Sequence, residues 1–400
     1  MDKNLQKSTS GVILIAFFCL FLYGFLDNLK GATLPDLLVI SRLNYSQGGA
    51  ILQGAYLGFL ISTLVTGFLL RRYSHREILF FAIVLAILGV ISFTLFTEYV
   101  LLIGSMVIIG LSLGFFDLIG VRLIIDFYKN NTGQLLNLSA FFHGLASTAA
   151  PVFAGLILTA GLRWQTVYQI SILFVIIFLV FLFTVRIPFI KKDVMDSSTN
   201  RFVFFNALRE KKAWPYYIMI MSYESIEIGF AVWVNEYLQT VRQMPASIGY
   251  SFISIFFLCL MLGRFLGSLI VEKIGYLRLI LITAVIVSIC LFIGIFGPDQ
   301  LIFFLPFSGF FLSVIFPTTT AAASKDLTRS NTMSLSLLFT FAGLGGMAGS
   351  WIIGMISDIY NLKIGFTFLI LMAISVATIS LWILKGKNKE EMKIVKEQNG

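Results

Sequence analysis

Apolar residues gather along the chain into twelve runs separated by short polar turns. The runs cover residues 10–38, 48–70, 77–97, 100–127, 134–160, 165–187, 213–240, 247–271, 278–297, 299–323, 332–357 and 363–384. A helix needs ~20 apolar residues to cross a bilayer, and each run reaches that length. The pattern predicts an all-α polytopic membrane protein with twelve transmembrane helices in two six-helix bundles. One connection is long: residues 188–212, PFIKKDVMDSSTNRFVFFNALREKK. Its charge, Ser and Asn mark a linker. It separates an N-terminal bundle, 1–187, from a C-terminal bundle, 213–385, followed by a tail, 386–400. The first run, from Gly11, is too long for a cleaved leader and lacks a small-residue cleavage site, so it reads as a retained span.

Composition agrees. Hydrophobic residues make up 58% of the 400 positions and charged residues 12%, against roughly 25% charged in soluble domains. A soluble catalytic domain has no room. The net charge of +9 would suit nucleic acid, but its placement argues otherwise. With the N-terminus inside, only Arg42, Arg163, Arg242 and Lys363 fall outside, and Lys30, Arg122 and Arg264 lie within spans. The other Lys and Arg all fall on the inner side, which is the positive-inside asymmetry with both termini cytoplasmic. The basic excess is a topology signal and a contact for anionic lipid, not a nucleic-acid surface. Cys19, Cys259 and Cys290 sit in apolar runs without metal or disulfide spacing and read as buried small hydrophobes.

Ionisable groups at mid-membrane cost at least ~2.5–3.5 kcal/mol, so each asks for a partner or a role. The first span holds Asp27, Asn28 and Lys30 among Gly24, Gly31 and Pro35. Asp27 and Lys30 share a face and can pair, while Gly and Pro loosen the helix as a binding segment requires. The fourth span holds Asp117, Arg122 and Asp126. Arg122 and Asp126, four apart, are expected to pair near the cytoplasmic end, leaving Asp117 deeper and unassigned. The seventh span holds Tyr223, Glu224, Glu227, Trp233, Asn235 and Glu236. Glu224 and Glu227 share a face and cannot both ionise cheaply, which suits proton uptake and release. Glu236 is expected to be solvated. The fifth span adds Asn137, Ser139 and His143. His75 lies in the basic loop and draws no role.

The halves repeat. Gly67 to Arg76 (GFLLRRYSHR) follows the second span, and Ser268 to Arg278 (SLIVEKIGYLR) follows the eighth; Arg71 and Glu272 lie 201 positions apart. Gly155 and Gly354 lie 199 apart. Such duplicated bundles are typical of secondary transporters, whose site lies near the membrane midplane.

The loop after the second span resembles the G-x-x-x-D-R-x-G-R-R signature of the major facilitator superfamily. Gly67, Arg72 and Arg76 match it; Arg71 stands at the acidic position and Ser74 at the second glycine. The second copy keeps an acid at Glu272, with Lys273, Gly275 and Arg278. Within that superfamily, Gly263-Arg264-Phe265-Leu266-Gly267 is similar to the G-R-F-x-G of the fucose permease-like proton symporter group. Tyr223-x3-Glu227-x5-Trp233, Phe316-Pro317-Thr318 and Gly114-Phe-Phe-Asp117 are similar to that group's patterns in the seventh, tenth and fourth spans. The group's first-span coupling aspartate precedes a proline by four. That position here is Gly31, and Asp27 is the candidate substitute. The asparagine expected soon after the fourth-span acid is absent. The resemblance implies the major facilitator fold and a cytoplasmic gate of Arg71, Arg72, Arg76, Arg264, Glu272, Lys273 and Arg278.

These readings converge on a secondary transporter with no cofactor and no metal, taking up a small neutral, sugar-like solute with protons. The proton-coupling candidates are Asp27, Asp117, Glu224 and Glu227. The substrate-binding candidates are Asn28, Asn137, His143, Tyr223, Trp233 and Asn235. Proton-driven efflux of a drug or metabolite is the alternative, and sodium coupling stays open. An enzyme would need convergent nucleophile, base or metal ligands, which two His and no His/Asp cluster do not supply. A sensor would not need the mid-span acids. The expectation is a monomer in the lipid bilayer of a bacterial plasma membrane.

Overall fold

The computed structural model describes residues 3–127, 132–185, 187, 209–326 and 331–398. Most of the 188–212 linker lies outside these residues. The described chain is helical throughout, as α1 (Lys3–Asp27), α2 (Leu29–Ile40), α3 (Tyr45–Arg72), α4 (His75–Leu95), α5 (Tyr99–Phe127), α6 (Thr132–Thr159), α7 (Trp164–Thr184), α8 (Trp214–Thr240), α9 (Ala246–Ile274), α10 (Tyr276–Phe296), α11 (Phe304–Leu312), α12 (Ile315–Asp326), α13 (Asn331–Ile359) and α14 (Leu362–Gln398). Twelve stretches are long and apolar enough to cross a membrane, one for each run in the sequence.

Two spans are interrupted. The first, Gly11–Ile40, breaks at Asn28, between α1 and α2. Pro35, inside α2, is not the break itself. The tenth, Asp299–Ala323, begins with a 3₁₀ turn at Asp299–Leu301 and breaks between α11 and α12. Pro317 sits in the first turn of α12, where a missing N–H removes no helical bond. At the other extreme, α14 runs 37 residues, carrying the last span straight into the basic tail.

The chain forms two compact units. Unit 1 comprises Met1–Met195 and Ala231–Leu258; unit 2 comprises Asp196–Phe230 and Cys259–Gly400. The unit boundary therefore passes through α8 and α9. In unit 1, α3 and α4 pack along α5, α1 lies on α5 and α6, and α7 covers α4. In unit 2, α10 packs on α14, α11 and α12, and α13 lies on α14. Many large apolar side chains face outward, among them Leu156, Phe183, Phe265 and Trp382, each 60–69% exposed. Apolar exposure on this scale marks a surface made for lipid.

The α3–α5 contact is so close that two glycines are obligatory. A Cβ on Gly110 would stand 1.9 Å from the Ala55 carbonyl oxygen, and one on Gly58 would stand 2.0 Å from that of Val107. Gly104, on the same helix as Gly110, meets nothing within 4 Å. Gly104→Ala should therefore stabilise by up to about 1 kcal/mol through helix propensity. Gly110→Ala should destabilise by about 1–3 kcal/mol as the helices are forced apart. Unfolding temperatures of the two variants in detergent, compared with wild type, test this directly.

Candidate functional site

In unit 2 the spacing of four brings Tyr223 and Glu227 together on α8, and the Tyr223 hydroxyl donates to Glu227 Oε2. Arg264 of α9 completes the group. Its Nη2 donates to the Tyr223 hydroxyl at 3.1 Å and lies 3.5 Å from Glu227 Oε2. A Cβ on the neighbouring Gly263 would stand 2.1 Å from the Phe310 carbonyl oxygen, so α9 is pressed against α11 at this level. The break in the tenth span sets Phe316 on the cluster, its ring 5.5 Å from that of Tyr223. Glu224 is half-buried on the adjoining face. The structure thus groups Arg264 with the seventh-span polar residues, more than two turns from Glu272 and Lys273.

In unit 1 the break at Asn28 exposes polar groups to α6 and α3. Lys30 Nζ lies 2.5 Å from Asp27 Oδ1, with the two side chains only 5% and 13% exposed, and it stands 4.5 Å above the Tyr56 ring. Asn28 Nδ2 donates to Ser147 Oγ at 3.0 Å and to the Gly24 carbonyl at 2.9 Å. The His143 ring is 4.7 Å from that of Tyr23. A Cβ on Gly24 would stand 2.6 Å from the His143 carbonyl oxygen, so the glycine lets α1 approach α6. Thr33 and Tyr168 share a hydrogen bond of 3.2 Å between α2 and α7. Asp117, half-buried in α5, makes no hydrogen bond or ion pair among the described residues. The side chain of Asn137 lies outside the described residues.

The second half of α8 lies in unit 1 and is largely buried. Trp233 is fully buried, with the Tyr45 ring edge-on at 5.6 Å. Asn235 is also fully buried. Its Nδ2 donates to the Ala32 carbonyl at 3.1 Å and its Oδ1 accepts from Gln239 at 3.1 Å. Its amide is thus engaged by protein groups. Glu236 is 7% exposed rather than solvated, because it faces inward and accepts from the Tyr45 hydroxyl at 3.3 Å.

At the basic end, two expectations change. The Arg122–Asp126 pair does not form. Asp126 faces α4, where His75 Nε2 lies 3.1 Å from its Oδ2 with both side chains less than 10% exposed. His75, unassigned from sequence, is thus a buried partner at the start of α4. Among the gate residues, Arg72 stacks on Tyr73 at 5.8 Å and Arg76 on Phe183 at 5.4 Å. Glu272 accepts from the Tyr276 hydroxyl at 2.7 Å, and Lys273 and Arg278 are exposed. The side chain of Arg71 lies outside the described residues. Sequence gave no signal for Ser147, Tyr23, Tyr56 or Tyr168; their types are ordinary within spans, and only the helix neighbours reveal them.

The chain is 23% identical over 343 residues to a "Protein TsgA homolog" of Buchnera aphidicola, covering 84% of this chain and 86% of that protein. It is 23% identical over 389 residues to a "Glucose/galactose transporter" of Brucella abortus, covering 91% and 92%. Its fold is similar to that of the E. coli fucose:proton symporter FucP (TM-score 0.62, 18% identity, 93% of this chain and 99% of that one). It is also similar to a D-xylose-proton symporter (TM-score 0.73, 17% identity, 93% and 96%). The sequence pattern of the Major Facilitator Superfamily matches residues 16–330 and again 251–399. With twelve apolar spans and a family match running through both halves, the chain belongs to the Major Facilitator Superfamily, a multi-pass membrane transporter and not an enzyme.

Proposed function

We propose that this transporter takes up a small neutral, sugar-like solute together with protons, by alternating access of the bundles 1–187 and 213–385. The observation that carries the proposal is Asp117: a half-buried carboxylate in mid-span with no partner among the described residues. An unpaired intramembrane carboxylate is stable when protonated and costly when charged. Proton binding there neutralises the unit and lowers the cost of the conformational step. Asp27 and Glu227 differ in that each already has a cation close by. Each unit also offers neutral hydrogen-bonding groups suited to hydroxyls: Asn28 and His143 in unit 1, Tyr223 in unit 2. The names of the glucose/galactose and xylose relatives support the sugar class. The Lys and Arg distribution supports cytoplasmic termini in a bacterial plasma membrane, and we assign the working unit as a monomer.

One feature favours the efflux alternative. Unit 1 carries a cavity of about 500 Å³ lined by six Phe, among them Phe17, Phe18, Phe21, Phe142 and Phe174, with Leu14 and Ile177, a lining suited to an apolar compound. A single experiment separates the readings. Proteoliposomes containing an internal pH dye are challenged with a panel of neutral sugars and a few cationic dyes. Internal acidification on adding one sugar, lost in Asp117→Asn while sugar counterflow persists, is the expected result. Proton movement driven only by the dyes would replace uptake with efflux. Equal sugar-driven acidification in Asp117→Asn would remove Asp117 from coupling.

A further inference from the structure

The same loop occurs twice in the chain and ends differently. In the first copy, Ser74 caps α4. Its side chain accepts from the Glu77 N–H at 3.3 Å, and Glu77 returns to the Ser74 N–H at 2.7 Å. This is a reciprocal capping box, with an acid placed where the helix dipole favours one. The 201-residue offset that relates Arg71 to Glu272 also relates Ser74 to Gly275 and Glu77 to Arg278. In the second copy the cap is therefore a residue without a side chain. Gly275 sits at φ +87° and offers no cap hydrogen bond, and the helix's internal acid has become a cation. The first N–H of this turn with a backbone acceptor is that of Leu279, which donates to Gly275 at 3.0 Å. The N–H groups of Tyr276, Leu277 and Arg278 precede it and have no backbone acceptor among the described residues, as at any helix start. Arg278 at such a terminus is electrostatically unfavourable by itself.

This helix start opens on a cavity of about 370 Å³ in unit 2, formed where α9 and α12 end and α10 begins, with α14 passing at Leu384 and Lys387. Four cations line it: Lys273, Arg278, Lys325 and Lys387. Its two carboxylates are already engaged. Asp326 takes Lys387 Nζ at 2.7 Å and the Tyr216 hydroxyl. Glu272 takes the Tyr276 hydroxyl at 2.7 Å. Lys273, Arg278 and Lys325 form no ion pair among the described residues. Lys325 stands beside an aromatic face, its Nζ 5.8 Å from the Tyr276 ring. Three exposed cations, unpaired among the described residues, and the residues of a helix start thus line one cavity.

We infer that this cavity binds a phosphate group. An anion with several oxygens meets the N–H groups and the cations together, and it reverses the conflict between Arg278 and the helix dipole. A carboxylate has too few acceptors to meet both sets. The group can come from the headgroup of an anionic phospholipid, since the cavity lies where the basic ends of the spans meet the membrane surface. It can also come from a free phosphate monoester.

The test uses the full chain in neutral detergent. Native mass spectrometry follows lipid retention from an equimolar mixture of phosphatidylglycerol and phosphatidylcholine. We expect preferential retention of phosphatidylglycerol, falling about ten-fold in Lys273→Gln/Arg278→Gln/Lys325→Gln. The matched charge removal at the opposite end, Arg42→Gln/Arg163→Gln/Lys363→Gln, should keep it. In a second arm, inorganic phosphate and glycerol 3-phosphate are titrated at constant ionic strength while the unfolding temperature is followed. A saturable rise in wild type, absent from the first triple variant, identifies a soluble phosphate ligand. Lipid selectivity without such a rise identifies the headgroup. Gel filtration and the anion-free unfolding temperature establish that both variants fold. Equal phosphatidylglycerol retention by both folded variants, with no variant-dependent response to phosphate, overturns the inference.

Discussion

Arg264→Ala is expected to reduce coupled uptake by about 100-fold, the largest functional loss of any single substitution in unit 2. The guanidinium donates to Tyr223 and stands against Glu227. Without it, a carboxylate only 14% exposed keeps a tyrosine donor but no counter-charge. Truncating one member of a desolvated, hydrogen-bonded charge pair typically costs 2–5 kcal/mol, mostly through the charge left behind. Arg264 itself is 42% exposed, so part of the effect is screened, which places the expectation in the lower half of that range. Arg264→Lys keeps the charge but not the fork that reaches two acceptors at once, and should recover only part of the activity. Glu227→Gln should restore folding stability to Arg264→Ala without restoring coupled uptake. Radiolabelled sugar uptake and counterflow in proteoliposomes separate these outcomes. Uptake by Arg264→Ala within about two-fold of wild type would remove the cluster from the transport cycle.

The fold is legible in the chain because lipid imposes a simple rule. Every backbone polar group must be satisfied within its own helix, so twelve apolar runs become twelve spans. Interruptions are harder to read. Pro35 marks the right span, yet the break falls at Asn28. The break before α12 lies in an ordinary stretch of Phe, Leu, Ser and Val, just ahead of Pro317. One pair within a span was also legible: Asp27 with Lys30 follows from a spacing of three and forms across the break at Asn28, whereas Arg122 and Asp126, four apart, do not pair. Pairs between helices were not. Periodicity gives the face a residue occupies but not the neighbour that covers it. Hence His75 and Asp126, Asn28 and Ser147, and Asp326 with Tyr216 and Lys387 emerge only from the structure. Glu236 went astray for the same reason: closeness to a span end suggests water, but Tyr45 and Trp233 enclose that end of α8.

Lys30→Met should be the most destabilising single change in unit 1, by about 3–5 kcal/mol. The lysine is 5% exposed, 2.5 Å from Asp27 and 4.5 Å from the Tyr56 ring. Its removal strands a carboxylate that is 13% exposed, in a span where a bare charge is expensive. The cation–π contact is lost as well, worth about 2 kcal/mol or more when desolvated. Asp27→Asn/Lys30→Met removes both charges and should return to within about 1 kcal/mol of wild type, since buried pairs are often replaceable by neutral groups of similar volume. Cys19 and Cys290 are buried and Cys259 half-buried, so a thiol-reactive fluorophore reports unfolding of each variant without added labels. A Lys30→Met protein as stable as wild type would mean that Asp27 carries no charge in the folded state. The double variant then decides what the pair is for. If it folds and couples normally, Asp27 and Lys30 are an internal clamp across the break at Asn28, and the proton belongs elsewhere. If it folds but exchanges sugar without moving protons, Asp27 is a coupling carboxylate, and Lys30 is the counter-charge that competes with the proton for it.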